Sequence, residues 1–186
     1  MSCCATRETS EDRRLIIDPL LDVVPEITRL VLGAPMVTVV LTNANHERGV
    51  RLLSETCRMH NQPYRVFAPI SGVEEHYEDL DPRWIDPRSE PLPEPFRSVP
   101  LMGFGPGETA LYDPRDGGVL HVGDALINLP KYGFTFLPEK YCANLPQGCQ
   151  ALRRVLSEPF ERMTFAHGAP LTEKADQRLK MLLESS

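Results

Sequence analysis

The chain has no run of about 18 apolar residues, so no segment of it reads as a membrane-spanning helix. Its start, Met1-Ser2-Cys3-Cys4-Ala5-Thr6-Arg7-Glu8, has no apolar core and does not read as a secretion signal. No Cys-x-x-Cys pair occurs, and the five cysteines form an odd set. Cys57 and Cys149 fall on apolar helical faces as small core residues, while Cys3 and Cys4 stand in a polar leader. This speaks against a disulfide framework and for a reducing, cytoplasmic setting. Positive charge is in deficit, with 20 Lys and Arg against 26 Asp and Glu and a net charge of −6. Neither a nucleic-acid backbone nor an anionic membrane is therefore an expected partner. Internal repeats and low-complexity tracts are absent too.

What is present fits one soluble globular domain. The 186 residues are 41% apolar and 25% charged, enough for a sizeable core and too short for two ordinary domains. Strand and helix patterns alternate, as in a layered α/β protein. Residues 15–18 and the β-branched run 36–41 read as strands, with a short helix between them over residues 24–32, closed by Gly33 and Pro35. A helix carrying Val50, Leu53 and Cys57 then runs to about residue 60, followed by a strand over residues 64–68. Residues 70–95, dense in proline and charge, read as a long surface excursion with at most one helical turn, partly covering a site. Three short strands follow over residues 96–102, 109–113 and 119–122, the last two joined by the turn Pro114-Arg115-Asp116-Gly117-Gly118. A helix over residues 148–156, a strand over 163–166 and a final helix capped by Thr172 complete the chain. Residues 1–14 are expected to be a disordered leader without strand pattern, and residues 15–186 one domain.

The most informative segment is Thr42-Asn43-Ala44-Asn45-His46-Glu47-Arg48, at the junction of a buried strand and a helix. Side chains and backbone converge at such junctions in α/β folds, which is where ligands bind. Further along stand Pro106-Gly107-Glu108-Thr109, Gly123-Asp124-Ala125-Leu126 and Ala166-His167-Gly168-Ala169-Pro170, each at the end of an apolar run. An earlier strand ends in Ile17-Asp18-Pro19. Together, in this order and spacing, these stretches resemble the metallo-β-lactamase superfamily from about residue 15 to the C-terminus. There the first motif is Thr-His-x-His-x-Asp-His, followed by Gly-His-Thr, Gly-Asp and a closing histidine beside glycine.

The resemblance implies an αβ/βα sandwich, with the N-terminal strands shortened or missing and an exposed sheet edge through which copies could pair. It also implies a damaged metal centre. The first metal's three histidine positions are Asn43, Asn45 and Glu108; two of the second metal's are Glu47 and Arg48; only Asp124 and His167 are retained. Five of the seven ligand positions are thus replaced. His46 falls between ligand positions. Neutral amides are poor zinc ligands and a guanidinium has no lone pair to give, so zinc is not expected. If any metal binds, it is a single harder cation (Mg²⁺, Mn²⁺ or Ca²⁺) on Glu108, Asp124 and His167.

Two functions follow from this reading. One is a fold that keeps its cleft for a small ligand or for acid–base hydrolysis, with Glu47, Asp124 and His167 as the catalytic candidates. Asn43, Asn45, His46, Arg48 and Glu108 would line the cleft, with the Arg48 guanidinium pairing Asp124, Glu47 or Glu108. The other is a hydrolase of esters, thioesters or lactones that uses an oxygen-ligated cation. A plainer reading stands beside both, in which Thr42, Asn43 or Asn45 only caps the following helix and Glu47 only complements its dipole.

Overall fold

In the computed structural model, residues 5–8, 14–20, 24–47, 49–69, 83–87 and 89–185 are described. Two sheets face each other, and the reason lies in the alternation along their strands. Strand β2 (Arg14–Ile17) lies between β1 (Ala5–Glu8), antiparallel to it, and β3 (Val37–Val40), parallel to it. Strand β4 (Tyr64–Phe67) and the two-residue β5 (Trp84–Ile85) continue the sheet in parallel. Leu15 and Ile17 point one way, with Val40, Phe67 and Leu111, into a cluster between the sheets. Ile16 points the other way, with Val37 and Val39, into a second cluster. Helices α1 (Val24–Val31) and α2 (Val50–Met59) cover that outer face through Ile27, Val31, Leu53 and Cys57.

The second sheet has the order β11-β8-β7-β6. Strands β6 (Arg97–Pro100), β7 (Thr109–Asp113) and β8 (Val119–Val122) run antiparallel in succession, and β11 (Arg162–Phe165) joins β8 in parallel. The period of two recurs here. Leu111 faces the first sheet, while Ala110 and Tyr112 face α3 (Leu145–Val155) and α4 (Ala175–Glu184) across the largest cluster, with Leu120, Leu152, Phe160 and Leu179. Helix, sheet, sheet, helix is the layer order expected from the sequence. A hairpin of β9 (Leu126–Leu129) and β10 (Gly133–Phe136) stands beside the second sheet.

Four expectations need correction. The stretch read as a leader without strand pattern contains β1, whose Ala5 pairs Ile17 and whose Glu8 pairs Arg14. The excursion over residues 70–95 contains β5, which extends the first sheet; the described remainder is turns, and residues 70–82 and 88 lie outside the described residues. Helix α3 begins at Leu145, where the Asn144 side chain accepts from Gln147 N at 3.0 Å and a proline occupies the first turn. Thr172 does not cap α4, because Leu171 is still bridged to Met163 of β11 and the helix starts after Lys174, in a left-handed conformation at φ 51°. Among the described residues, no helix is long and apolar enough to cross a membrane.

Candidate functional site

The site forms where five chain segments end on one rim. Strands β2, β3, β8 and β11 run into Asp18, Thr42, Asp124 and His167 at their C-terminal ends. Strand β7 runs the opposite way to β8, so Glu108, just before its start, reaches the same rim. Backbone bonds lock the segments together: Thr109 N donates to Thr42 O at 2.8 Å and Ala44 N to Pro106 O at 3.0 Å.

Asn43 organises the junction. Its side-chain oxygen accepts from Asn45 N at 2.8 Å and caps a single 3₁₀ turn over Ala44–His46. That turn sends Asn45 to the surface and His46 inward, where only 7% of it is exposed. Asp18 holds the other side, its carboxylate accepting from Thr42 N at 2.8 Å and from the Thr42 hydroxyl at 2.6 Å. His46 Nδ1 lies 3.1 Å from Asp18 Oδ2 and 3.1 Å from Thr42 Oγ1, and its Nε2 lies 3.2 Å from Asp124 Oδ1. His167 Nε2 lies 3.1 Å from the same Asp124 oxygen. Behind this cluster, Glu108 is buried; Oε1 accepts from Ala125 N at 3.0 Å and Oε2 from Asn43 Nδ2 at 2.9 Å.

Burial and charge act against each other at each titrating group. Burial alone would disfavour a charged His46, but hydrogen bonds to Asp124 and Asp18, and their charges, raise its pKa to about 10. Burial also works against a charged Asp124, yet the hydrogen bonds from His167 and His46 hold its carboxyl well below the usual range. For Glu108 burial wins: its pKa is pushed up to about 8 despite the two N–H donors and the charge of His46. An imidazolium thus stands between the carboxylates of Asp18 and Asp124, and Glu108 keeps its proton at neutral pH.

The structure brings together Asn43, His46, Glu108, Asp124 and His167. It does not bring in Glu47, whose carboxylate is paired with Arg51 one helical turn on, nor the Asn45 side chain, which is exposed. Arg48, and with it the expected pairing of its guanidinium, lies outside the described residues. Among the described residues, the group that could hold a cation is His46, Asp124 and His167, with donor atoms within 4.8 Å of one another, and it differs from the expected Glu108, Asp124 and His167. Asn43 offers no oxygen to a cation, because its side-chain oxygen accepts from Asn45 N and its amide N–H turns toward Glu108. One cleft residue has a larger part than sequence reasoning gives it, and one contributor escapes it. Motif alignment puts His46 in a gap between ligand positions, though its spacing of three from Asn43 and four from Thr42 already places all three on one turn. Asp18 reads from the sequence only as a strand end.

Gly123 shows how tightly the segments meet: a Cβ there would come within 2.8 Å of Glu108 Oε1 and would also strike the Thr42 hydroxyl. Beside Glu108 opens a cavity of about 320 Å³, lined by Pro69, Leu101, Phe104, Pro106 and Gln147 among others.

No family model matches the sequence, and a comparison with curated proteins finds no match either. Solved structures do match. The chain is similar to an archaeal metallo-β-lactamase superfamily protein, ST1585 of Sulfolobus tokodaii, with TM-score 0.66 and 11% identity, over 99% of this chain and 79% of that one. It is similar to the metallo-β-lactamase family protein TTHA1429 of Thermus thermophilus, with TM-score 0.57 and 17% identity, over 97% and 72%. It is also similar to the chemotaxis sensor ODP, solved as a peroxy diiron species, with TM-score 0.60 and 18% identity, over 92% and 82%. This protein has the metallo-β-lactamase fold.

Proposed function

We propose that this is a hydrolase-like, small-molecule-binding protein on the metallo-β-lactamase fold, in which the binuclear zinc centre has been dismantled. One observation carries the reading. Asn43 and Glu108, at two of the three positions where the fold's hydrolases place first-metal histidines, are hydrogen-bonded to each other at 2.9 Å. The second Glu108 oxygen is taken by Ala125 N. That half of the centre is filled by a polar plug and does not fit a zinc ion.

The other half keeps the means for proton chemistry. His167 is half-buried at the rim, and Asp124 holds its imidazole from one side. An imidazole so oriented accepts a proton from a bound water or alcohol and returns it to a leaving oxygen. The buried His46 behind Asp124 keeps that carboxylate charged, and protonated Glu108 borders the apolar cavity. Glu47, tied to Arg51, has no part in this scheme. A cavity of about 320 Å³ suits a small molecule with an apolar portion. One of the similar structures is a chemotaxis sensor, so a binding role is as much at home on this fold as hydrolysis.

Zinc analysis of protein purified without chelators, together with a screen of esters, thioesters and lactones, tests the proposal. Turnover should fall by roughly 10²–10⁴-fold in His167→Ala, the usual worth of a positioned acid–base group. Two tightly held equivalents of zinc would overturn the dismantled centre. If no screened compound is turned over and none raises the thermal midpoint, the small-molecule reading fails.

A further inference from the structure

The hydrogen positions around His46 can be worked out from the donor count. The Thr42 hydroxyl has one proton, and it goes to Asp18 at 2.6 Å. Toward His46 Nδ1, therefore, both Thr42 Oγ1 and Asp18 Oδ2 present lone pairs, so Nδ1 carries a proton. Nε2 then faces Asp124 Oδ1, an acceptor 3.2 Å away, and the long 3.4 Å contact from Asn43 Nδ2 does little to relieve that encounter. Two lone pairs at this distance require a positive particle between them, either a proton on Nε2, as in the imidazolium, or a bound cation.

We propose that His46 Nε2, Asp124 Oδ1 and His167 Nε2 form a single-ion site for a borderline divalent cation of the zinc or iron(II) class, with Asp18 as the outer carboxylate that fixes the His46 tautomer. The inference rests on the reading that the binuclear centre is gone, since it uses a histidine from a position that in the resembled motif is not a ligand; with the ion bound, His167 is a ligand and gives up the proton-carrying role it has in the metal-free form. Geometry supports it. In a tetrahedral site with bonds of about 2.0–2.1 Å, neighbouring donor atoms stand roughly 3.3–3.4 Å apart. The two imidazole nitrogens lie 3.2 and 3.1 Å from Asp124 Oδ1, within a few tenths of an ångström of that spacing, and all three donor atoms lie within 4.8 Å of one another. Two imidazoles and one carboxylate favour a borderline transition ion over Mg²⁺ or Ca²⁺. The Asp18–His46 contact is the carboxylate–histidine arrangement that raises the basicity of a metal-bound imidazole. Three protein donors leave a coordination position open, where such a cation would polarise a water or a ligand oxygen. Any proton on His46 Nε2 leaves to solvent as the ion enters.

The test is titration of the chelator-treated full chain with Zn²⁺ by calorimetry and with Co²⁺ by visible absorption. One equivalent is expected with either ion. His167→Ala should weaken binding by well over tenfold, and Asp18→Asn by roughly 10–100-fold at unchanged stoichiometry. Because His167 is half-buried, its removal leaves the core packed, and a thermal scan of each variant verifies the fold. Absence of saturable binding would overturn this site while leaving the metal-free acid–base reading intact. Two equivalents would overturn both. Equal affinity in His167→Ala and wild type would refute the donor set.

Discussion

Replacing Glu108 by glutamine tests whether burial or hydrogen bonding governs the centre of the site. Glu108 is 3% exposed, and its folded pKa is about 8 against an ordinary 4.5. A carboxyl whose folded pKa is raised binds its proton more tightly in the native state, so its contribution is fully present below the unfolded pKa. That contribution is lost as pH climbs from the unfolded value toward the folded one. Between about pH 5 and about pH 6.5 the unfolded carboxyl ionises while the folded one stays protonated, which costs the wild type about 2 kcal/mol at roughly 1.4 kcal/mol per pH unit. The glutamine side chain has nothing to titrate. It keeps an oxygen for Ala125 N but sets an amide against Asn43 Nδ2, a penalty that does not change with pH and so drops out of the comparison. His46, with an ordinary value of 6.5, begins to lose its proton in the unfolded chain toward the top of the interval, but it does so in both proteins and drops out of the comparison. Urea unfolding of both proteins, followed by far-ultraviolet circular dichroism, should show E108Q gaining about 2 kcal/mol on the wild type across the interval. A stability difference that stays constant with pH would mean that the two N–H donors keep Glu108 ionised, and the reasoning about burial would be refuted.

Thr42→Val removes the hydroxyl that Asp18 accepts and leaves that buried carboxylate short of a donor; a loss of about 1–3 kcal/mol in urea unfolding is expected. Gly123→Ala drives a methyl into Thr42 and Glu108 and should cost about 1–3 kcal/mol, with a lowered thermal midpoint as the check. Tyr112→Phe deletes the hydroxyl that donates to Pro159 O at 2.8 Å, remote from the site, and should cost about 1 kcal/mol in stability without altering ligand or metal binding.

The strands that carry the core are legible in the sequence because burial imposes a strict pattern on them. Residues 109–113 and 119–122 read at their observed bounds, since every residue in both is buried between layers. The β9–β10 hairpin is not foreseen: apart from one bridge between Asn128 and Gly168 its strands pair with each other, its residues are largely half-buried, and the Leu126-Ile127 pair looks like the tail of the Gly-Asp motif. Strand β1 escapes for a similar reason, as Ala-Thr-Arg-Glu is polar and gains its place by pairing with β2. At the site, motif alignment places Asp124, His167, Asn43 and Glu108 together, because strand ends determine where those residues sit. It misplaces Glu47 and gives His46 no ligand position, because a single 3₁₀ turn rotates side chains away from the α-helical or extended register an alignment assumes.

Asn43 uses both ends of its amide, the oxygen to close the 3₁₀ turn and the nitrogen to hold Glu108. An imidazole at that position that gave its lone pair to a metal would have no acceptor left for Asn45 N, because a neutral ring carries one lone-pair nitrogen and one N–H. Asn43→His would therefore supply a metal ligand only by releasing the turn that presents His46. At this residue, closing the turn and ligating a metal exclude each other.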